Sequence, residues 1–366
     1  MDFDFSDEQK MLRDEAHRFL GDVSSFASIR RHLETGSAFD RGLWARLGEM
    51  GWLGVAVAEE QGGLGFGPLE LCVLNEELGR CLAPVPFFST VCIAAEILKG
   101  CTGAAAARLL RRIVGGQAVV TLASAERSDW NFDIATRFAG GKVSGSKTLV
   151  ADLPGADALI VTALDADKEP LLLLVDALAN GVMRTALQGL DALRPQAHLV
   201  LDQVDADVLA RGDEARQLLA RVHEQAAIFA AFEQIGGAQG ALDMIAAYGQ
   251  QRYAFGRPIA GNQAVKHKLA DMLVKIELAR SNAYYGAWSL EAGPAERPVA
   301  AAAARLSAIE AFEFAAEENL HLHGGIGYTW EADCQFYYRR SRLLAVSLGN
   351  AAQWSQKLLA GYSRGI

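Results

Sequence analysis

YGQQRYAFGRPIAGNQAVKHKLADM, residues 248–272, decides how this chain is read, because it joins two long helical stretches through a short polar break. Before it runs RQLLARVHEQAAIFAAFEQIGGAQGALDMIAAYGQQR (216–252), rich in alanine and poor in β-branched residues, a composition that favours a helix. After it, NQAVKHKLADMLVKIELARSNAYYGAWSLEAG (262–293) starts a second helix. RPVAAAAARLSAIEAFEFAAEENLHLHGG (297–325) and the last 30 residues add two more. Four long helices with short breaks imply a bundle over 209–366.

Upstream the texture differs. From Gln117 to Val208 come AVVTLAS, ATRFAGGKVSGSKTLVAD, ADALIVTAL, EPLLLLVDAL and AHLVLDQV, short β-like runs bounded by Gly, Pro, Asp and Asn. With no long helix among them, residues 117–208 are expected to form an antiparallel barrel or sandwich. Residues 1–116 read as an N-terminal α-helical domain. There Ser6 and Gln9 have the spacing of a capping box, with Phe5 placed as a hydrophobic staple. Helices are also expected in FDRGLWARLGEMGW (39–52) and PLELCVLNEELGRCLA (68–83). The loop EEQGGLGFGP between them lacks a preceding strand and the G-x-G-x-x-G spacing of a dinucleotide turn. The expected class is α+β.

Hydrophobic residues make up 51% and charged residues 22%, an ordinary globular balance. A net charge of −9 argues against a nucleic-acid surface, yet leaves room for an anionic cofactor held by one or two cations. Cys72, Cys81, Cys92, Cys101 and Cys334 show no CxxC spacing and read as free thiols of a reducing cytoplasm. The N-terminal MDFDFSDEQK lacks a signal-peptide pattern, and no apolar run reaches the ~20 residues of a membrane span.

Four stretches, in this order, resemble the acyl-CoA dehydrogenase family: GWLGVAVAEEQGGLGFGPLELCVLNEELGR (51–80), GKVSGSKTLVADLPGADALIV (141–161), the 248–272 stretch, and HLHGGIGYTWE (321–331). The resemblance implies tightly bound FAD, a dimer or dimer-of-dimers (with itself as homodimer or tetramer, or with a homologous chain), and oxidation of an acyl-CoA substrate at Cα–Cβ. Such a reaction needs a carboxylate to take the α-proton, its pKa raised by desolvation from about 4.3 toward neutrality.

The resemblance assigns Arg252 and Phe255 to the family's R-x-x-F-G signature, the arginine forking onto the FAD pyrophosphate, a fit that suits a planar guanidinium. Gln263 follows at the usual interval. Gly324 and Gly325 match a turn where backbone approaches the dinucleotide, and His321 stands where the family has Gln. Gln353 matches a contact to the adenosine portion. The family makes most of these contacts across a dimer interface. For an isolated Arg-x-x-Phe pair, a solvated helix residue and a core ring would suffice.

The base is another matter. Aligned on Arg340 and Gln353, one family base position falls on Gly349; counted back from Arg252, the other falls on Ala226, with Ala227 beside it. Neither has a carboxylate. The Thr-Glu-Pro stretch becomes ASAERSD, where Ser128 and Asp129 remain, and the Trp-Ile-Thr segment beside the flavin becomes Leu149-Val150-Ala151. The retained residues serve the ADP portion and the lost ones serve the ring and the proton. The expectation is therefore a base-lacking subunit of a heteromeric acyl-CoA dehydrogenase, as in steroid side-chain degradation, with a homologous partner chain supplying the base. The alternatives are an unusual base of this chain (Glu224, Glu233 or Tyr253), a flavin-free structural subunit, or another flavin chemistry such as monooxygenation. Lys147, Asp157, Arg194 and Glu331 read as scaffold residues, and His321, His323 and Glu331 lack metal-ligand spacing.

Overall fold

The computed structural model describes residues 5–126, 134–254, 256–293 and 295–362. Phe255 lies outside the described residues, as do Ser128 and Asp129. Helices α1 (Asp7–Val23), α2 (Phe26–Thr35), α3 (Arg41–Glu49) and α4 (Pro68–Arg80) come first. A π-helical turn at Phe88–Ala95 runs into α5 (Glu96–Lys99), and α6 (Ala104–Val114) follows. The strands are β1 (Val120–Ala123), β2 (Arg137–Ala139), β3 (Lys142–Ala151), β4 (Ala158–Leu164), β5 (Pro170–Asp176), β6 (Val182–Leu187), β7 (Gln196–Asp205) and β8 (Asp207–Arg211). Then come α7 (Gly212–Gln251), the two-residue strands β9 (Tyr253–Ala254) and β10 (Arg257–Pro258), α8 (Gln263–Ala292), α9 (Arg297–Leu322), α10 (Cys334–Val346) and α11 (Ala351–Tyr362).

By packing, the chain falls into two units, each assembled from separate stretches. One comprises residues 1–30, 68–83 and 227–366; the other comprises 31–67 and 84–226. In the first, the capping box forms as the sequence predicts: the Ser6 hydroxyl accepts the Gln9 N–H, and the Gln9 side chain accepts that of Ser6. Phe5 is buried edge-on against Tyr284, with centroids 4.9 Å apart. Glycine inside α7 is no flaw, because α4 crosses there at very short range. A Cβ on Gly236 would sit 1.8 Å from the Glu76 carbonyl oxygen, so alanine there must push the helices apart. The last 30 residues do not form one helix. Ser347 is extended, Leu348 has φ +61° and Gly349 φ +98°, which ends α10 and lets α11 start afresh.

The second unit is built on one eight-stranded sheet in the order β6-β7-β3-β2-β4-β5-β8, with β1 on β4. Gly140 and Gly141, both at positive φ, make the two-residue hairpin between β2 and β3. The sheet is not wholly antiparallel, which corrects the expectation. β1 pairs in parallel with β4, Val120 opposite Ala158, and β2 meets β4 in parallel at Arg137 and Leu164. Residue alternation reveals which face is buried but carries no information on strand direction. Ile113, Val120, Ile160, Leu172 and Val222 form the core against α5, α6 and the start of α7. Each fully buried aliphatic side chain is worth about 1.5–3 kcal/mol.

Candidate functional site

At the end of α7 the chain reverses in a short hairpin, Ala254 opposite Arg257 and Tyr253 opposite Pro258, with Gly256 at φ +77°. The backbone of Arg252 is fixed at both ends: its N–H donates to the Tyr248 carbonyl at 2.8 Å, and its own carbonyl accepts the Ile259 N–H at 2.9 Å. Its side chain is exposed and makes no hydrogen bond or ion pair among the described residues. A guanidinium held at its root with open donors suits an anion. Arg257, by contrast, is engaged, its Nε donating to Asn262 Oδ1 at 3.0 Å. That bond ties the hairpin to the start of α8. There Gln263 is exposed in the first helical turn, where backbone N–H groups have no intrahelical acceptor and favour negative charge. Tyr253, one of the alternative bases, is 65% exposed on this hairpin.

The end of α9 lies against this hairpin's root. His323 stacks on Tyr248 with ring centroids 4.2 Å apart. Gly324 follows at φ +70°, and neither Gly324 nor Gly325 has anything within 4 Å of where a Cβ would be. The backbone here is open to a ligand. His321 is largely exposed, its Nδ1 3.9 Å from Glu318 Oε2. The structure thus brings together Arg252, Gln263, Gly324 and Gly325 through the hairpin and the Tyr248–His323 stack. Sequence reasoning passed over His323 except as a metal ligand, because its partner is 75 residues away in the chain. Open donors on Arg252 beside an uncovered glycine turn are chemistry that can hold an anionic group.

The turn at Gly349 has a different character. Asn350 and Gln353 cap α11 reciprocally: the Gln353 N–H donates to Asn350 Oδ1 at 3.0 Å, and the Asn350 N–H to Gln353 Oε1 at 2.9 Å. That leaves Gln353 its amide N–H donors for a ligand, while its oxygen is occupied. A Cβ on the buried Gly349 would meet Gln353 Oε1 at 3.0 Å, on a backbone that only glycine adopts readily. From inside, Arg305 clamps the end of α10. It donates to the Leu344 carbonyl and, at 2.6 Å, to that of Ser347, and also to Gln234 Oε1. Burial pushes its pKa down to about 9 against the pull of Glu233. Glu233 itself is 2% exposed and accepts from Arg340 Nη1 at 3.0 Å. A carboxylate locked in a buried ion pair is not available as a base, which removes Glu233 from that role. Ala226 and Ala227 are buried, and their methyl side chains carry no polar atom.

In the other unit, Lys147 is fully buried, its Nζ 2.6 Å from Glu126 Oε1 and 2.9 Å from Thr162 Oγ1. Desolvation pushes its pKa down to about 8 although Glu126 pulls it up. Glu126 also accepts the N–H groups of Ala135 and Thr136. Desolvation raises the Glu126 carboxyl, but the Lys147 and Thr136 contacts outweigh it and leave its pKa below the usual range. Glu126 therefore ties the segment after β1 to β3 and to the backbone of Ala135 and Thr136, a role its sequence position did not reveal. Asp157 accepts the Val119 N–H at 2.8 Å, as a scaffold residue would. Leu149 sits in a β-bulge at φ +52°, half-exposed, without a hydroxyl to offer. Cys81 is pushed up to about 12 and Cys101 and Cys334 to about 11 by burial, which disfavours the nucleophilic thiolate. Among the described residues no helix is long and apolar enough to cross a membrane.

Comparison with known proteins places these elements in a group. Residues 6–117 match the family described as acyl-CoA dehydrogenase, N-terminal domain, and residues 220–353 match acyl-CoA dehydrogenase, C-terminal domain. The chain is 30% identical over 340 residues to acyl-CoA dehydrogenase IpdE2 of Mycobacterium tuberculosis, covering 92% of this chain and 91% of that one. Among solved structures it is similar to the steroid ACAD Tcur3481-Tcur3483, with 32% identity, TM-score 0.88 and 98% of both chains covered. It is also similar to the ChsE4-ChsE5 complex of Mycobacterium tuberculosis, with 26% identity, TM-score 0.89 and 99% of both chains covered.

Proposed function

Because the chain belongs to the acyl-CoA dehydrogenase family, we propose that it serves α,β-oxidation of an acyl-CoA in the cytoplasm as the subunit without a base, paired with a homologous chain that has one. The observation that carries this reading is the pair of base positions. Ala226 and Ala227 have no titratable atom, and Gly349 sits on a turn whose space and hydrogen bonds are taken by Gln353 and Asn350. Glu233 is engaged with Arg340.

What the chain retains is a grip on a dinucleotide. Arg252 would hold the FAD pyrophosphate through two parallel N–H donors, helped by the first turn of α8 at Gln263. The open backbone at Gly324 and Gly325 would lie along the ADP portion, with His321 and the amide of Gln353 as side-chain donors. FAD, when bound, supplies the acceptor for the hydride that leaves Cβ. Phe255 belongs to this set by its place in the motif. The names of the similar structures, a steroid ACAD and a complex of two unlike chains, favour a bulky or steroid-derived acyl group and a heteromer.

The test is co-expression with homologous chains that carry the missing glutamate. A stable complex with one FAD per pair of chains is expected, with flavin content falling at least tenfold for Arg252→Gln. A yellow homodimer that oxidises acyl-CoA unaided would overturn the proposal.

A further inference from the structure

His323 has no role in the reading above, yet its hydrogen bonding defines what it can bind. Its Nδ1 lies 2.7 Å from the Asn319 carbonyl oxygen. A carbonyl only accepts, so Nδ1 carries the hydrogen. Burial lowers the imidazole's pKa, the Asn319 bond opposing it, which favours the neutral ring. A neutral ring with hydrogen on Nδ1 has a lone pair on Nε2 and can only accept there. Among the described residues Nε2 has no partner.

The ring is also rigidly placed. It stacks on Tyr248 at an interplanar angle of 26°, and the Tyr248 carbonyl accepts the Arg252 N–H. The next residue along is the open Gly324. One imidazole therefore joins the root of the phosphate-binding arginine to the turn that approaches the dinucleotide. We propose that His323 is a further dinucleotide-binding residue whose Nε2 accepts a hydrogen bond from the adenosine half, either a ribose hydroxyl or the adenine amino group. It does not bind the phosphates, whose oxygens carry no hydrogen to donate. The division of labour is then by charge: Arg252 takes the anion and His323 reads a neutral donor. This inference rests on the dinucleotide reading above.

His323→Phe keeps an aromatic ring of similar volume for the stack and removes both the Nε2 acceptor and the Nδ1 donor to the Asn319 carbonyl; only the acceptor's loss depends on which donor the probe carries. With the flavin-free complex of this chain and its homologous partner, the probes are ADP, 2′-deoxy-ADP, 3′-deoxy-ADP and inosine diphosphate, which lacks the amino group. His323→Phe is expected to weaken ADP about 3- to 10-fold, the worth of one net hydrogen bond. That loss should vanish for the one probe missing the donor: a deoxy-ADP if a ribose hydroxyl is read, inosine diphosphate if the amino group is. Tyr248→Phe, which also keeps the stack, should bind all probes like the parent. An equal loss on every probe, or no loss on any, would overturn the proposal. Arg252→Gln separates the two layers: if it weakens ADP while His323→Phe does nothing, only the histidine's role fails. If neither variant weakens ADP, the dinucleotide reading falls with it.

Discussion

The end of α7 and the turn between α10 and α11 are both breaks between helices of one unit, and they treat their polar groups in opposite ways. At the first, Arg252 is anchored through its backbone and keeps its side chain free, and Gly324 and Gly325 face open space. At the second, the turn is closed mainly from within: Asn350 and Gln353 cap one another, and Arg305 closes the carbonyls of Leu344 and Ser347. The same residue types occur in both places. Arginine has open donors at 252, where we propose it binds the dinucleotide, and is a structural bolt at 305 and 340. What separates the roles is whether the fold has already satisfied the donors. A site prepared for a ligand leaves donors open at the surface, because leaving them open inside costs about 1–3 kcal/mol each.

That contrast can be broken most visibly at Arg340. Arg340→Met strands the buried Glu233 carboxylate and should lower stability by about 3–5 kcal/mol in urea unfolding. Arg252→Gln should change stability by no more than about 0.5 kcal/mol while releasing flavin. Equal stability losses for the two would erase the distinction. Next in size is Gly349→Glu, which puts a carboxylate at the family position on a backbone at φ +98°. We expect a cost of about 1–3 kcal/mol and no gain of acyl-CoA oxidation by the chain alone, because the strain and Gln353 deny it the required geometry. Asn350→Ala removes the cap of α11 and should cost about 0.5–2 kcal/mol by thermal unfolding, with weaker flavin binding as Gln353 is released. Unchanged flavin affinity in that variant would detach Gln353 from the dinucleotide.

The smallest effect concerns pH. The folded state holds His323 below its ordinary pKa of about 6.5, so the unfolded chain takes up the proton first. Stability contributed by the neutral ring is present above that value and is lost as pH falls through the folded pKa. His323→Phe should flatten this part of the stability–pH curve, measured by urea unfolding at successive pH values below neutrality. A curve identical to the parent's would mean the ring titrates as if in water.

Much of the fold was legible because it rests on local rules. The Ser6–Gln9 box and the long alanine-rich helices need only neighbouring residues to be recognised. The parallel pairing of β1 with β4 was not legible, since alternation is the same in either direction. Nor was the break before α11, where a leucine at position 348 takes a left-handed conformation that its side chain disfavours and that Arg305 helps to hold in place. In the site, the motif at Arg252 could be read directly. The Glu126–Lys147 bolt and the Tyr248–His323 stack could not, because each joins residues that only the folded chain brings together.

The central claim is that this chain binds the dinucleotide and contributes no base. Its most direct test is anaerobic bleaching of the flavin by an acyl-CoA, with this chain alone, with its homologous partner, and with a partner lacking the glutamate. The account predicts bleaching only in the second case. Bleaching by this chain alone, or by the complex after the partner's glutamate is removed, would contradict it.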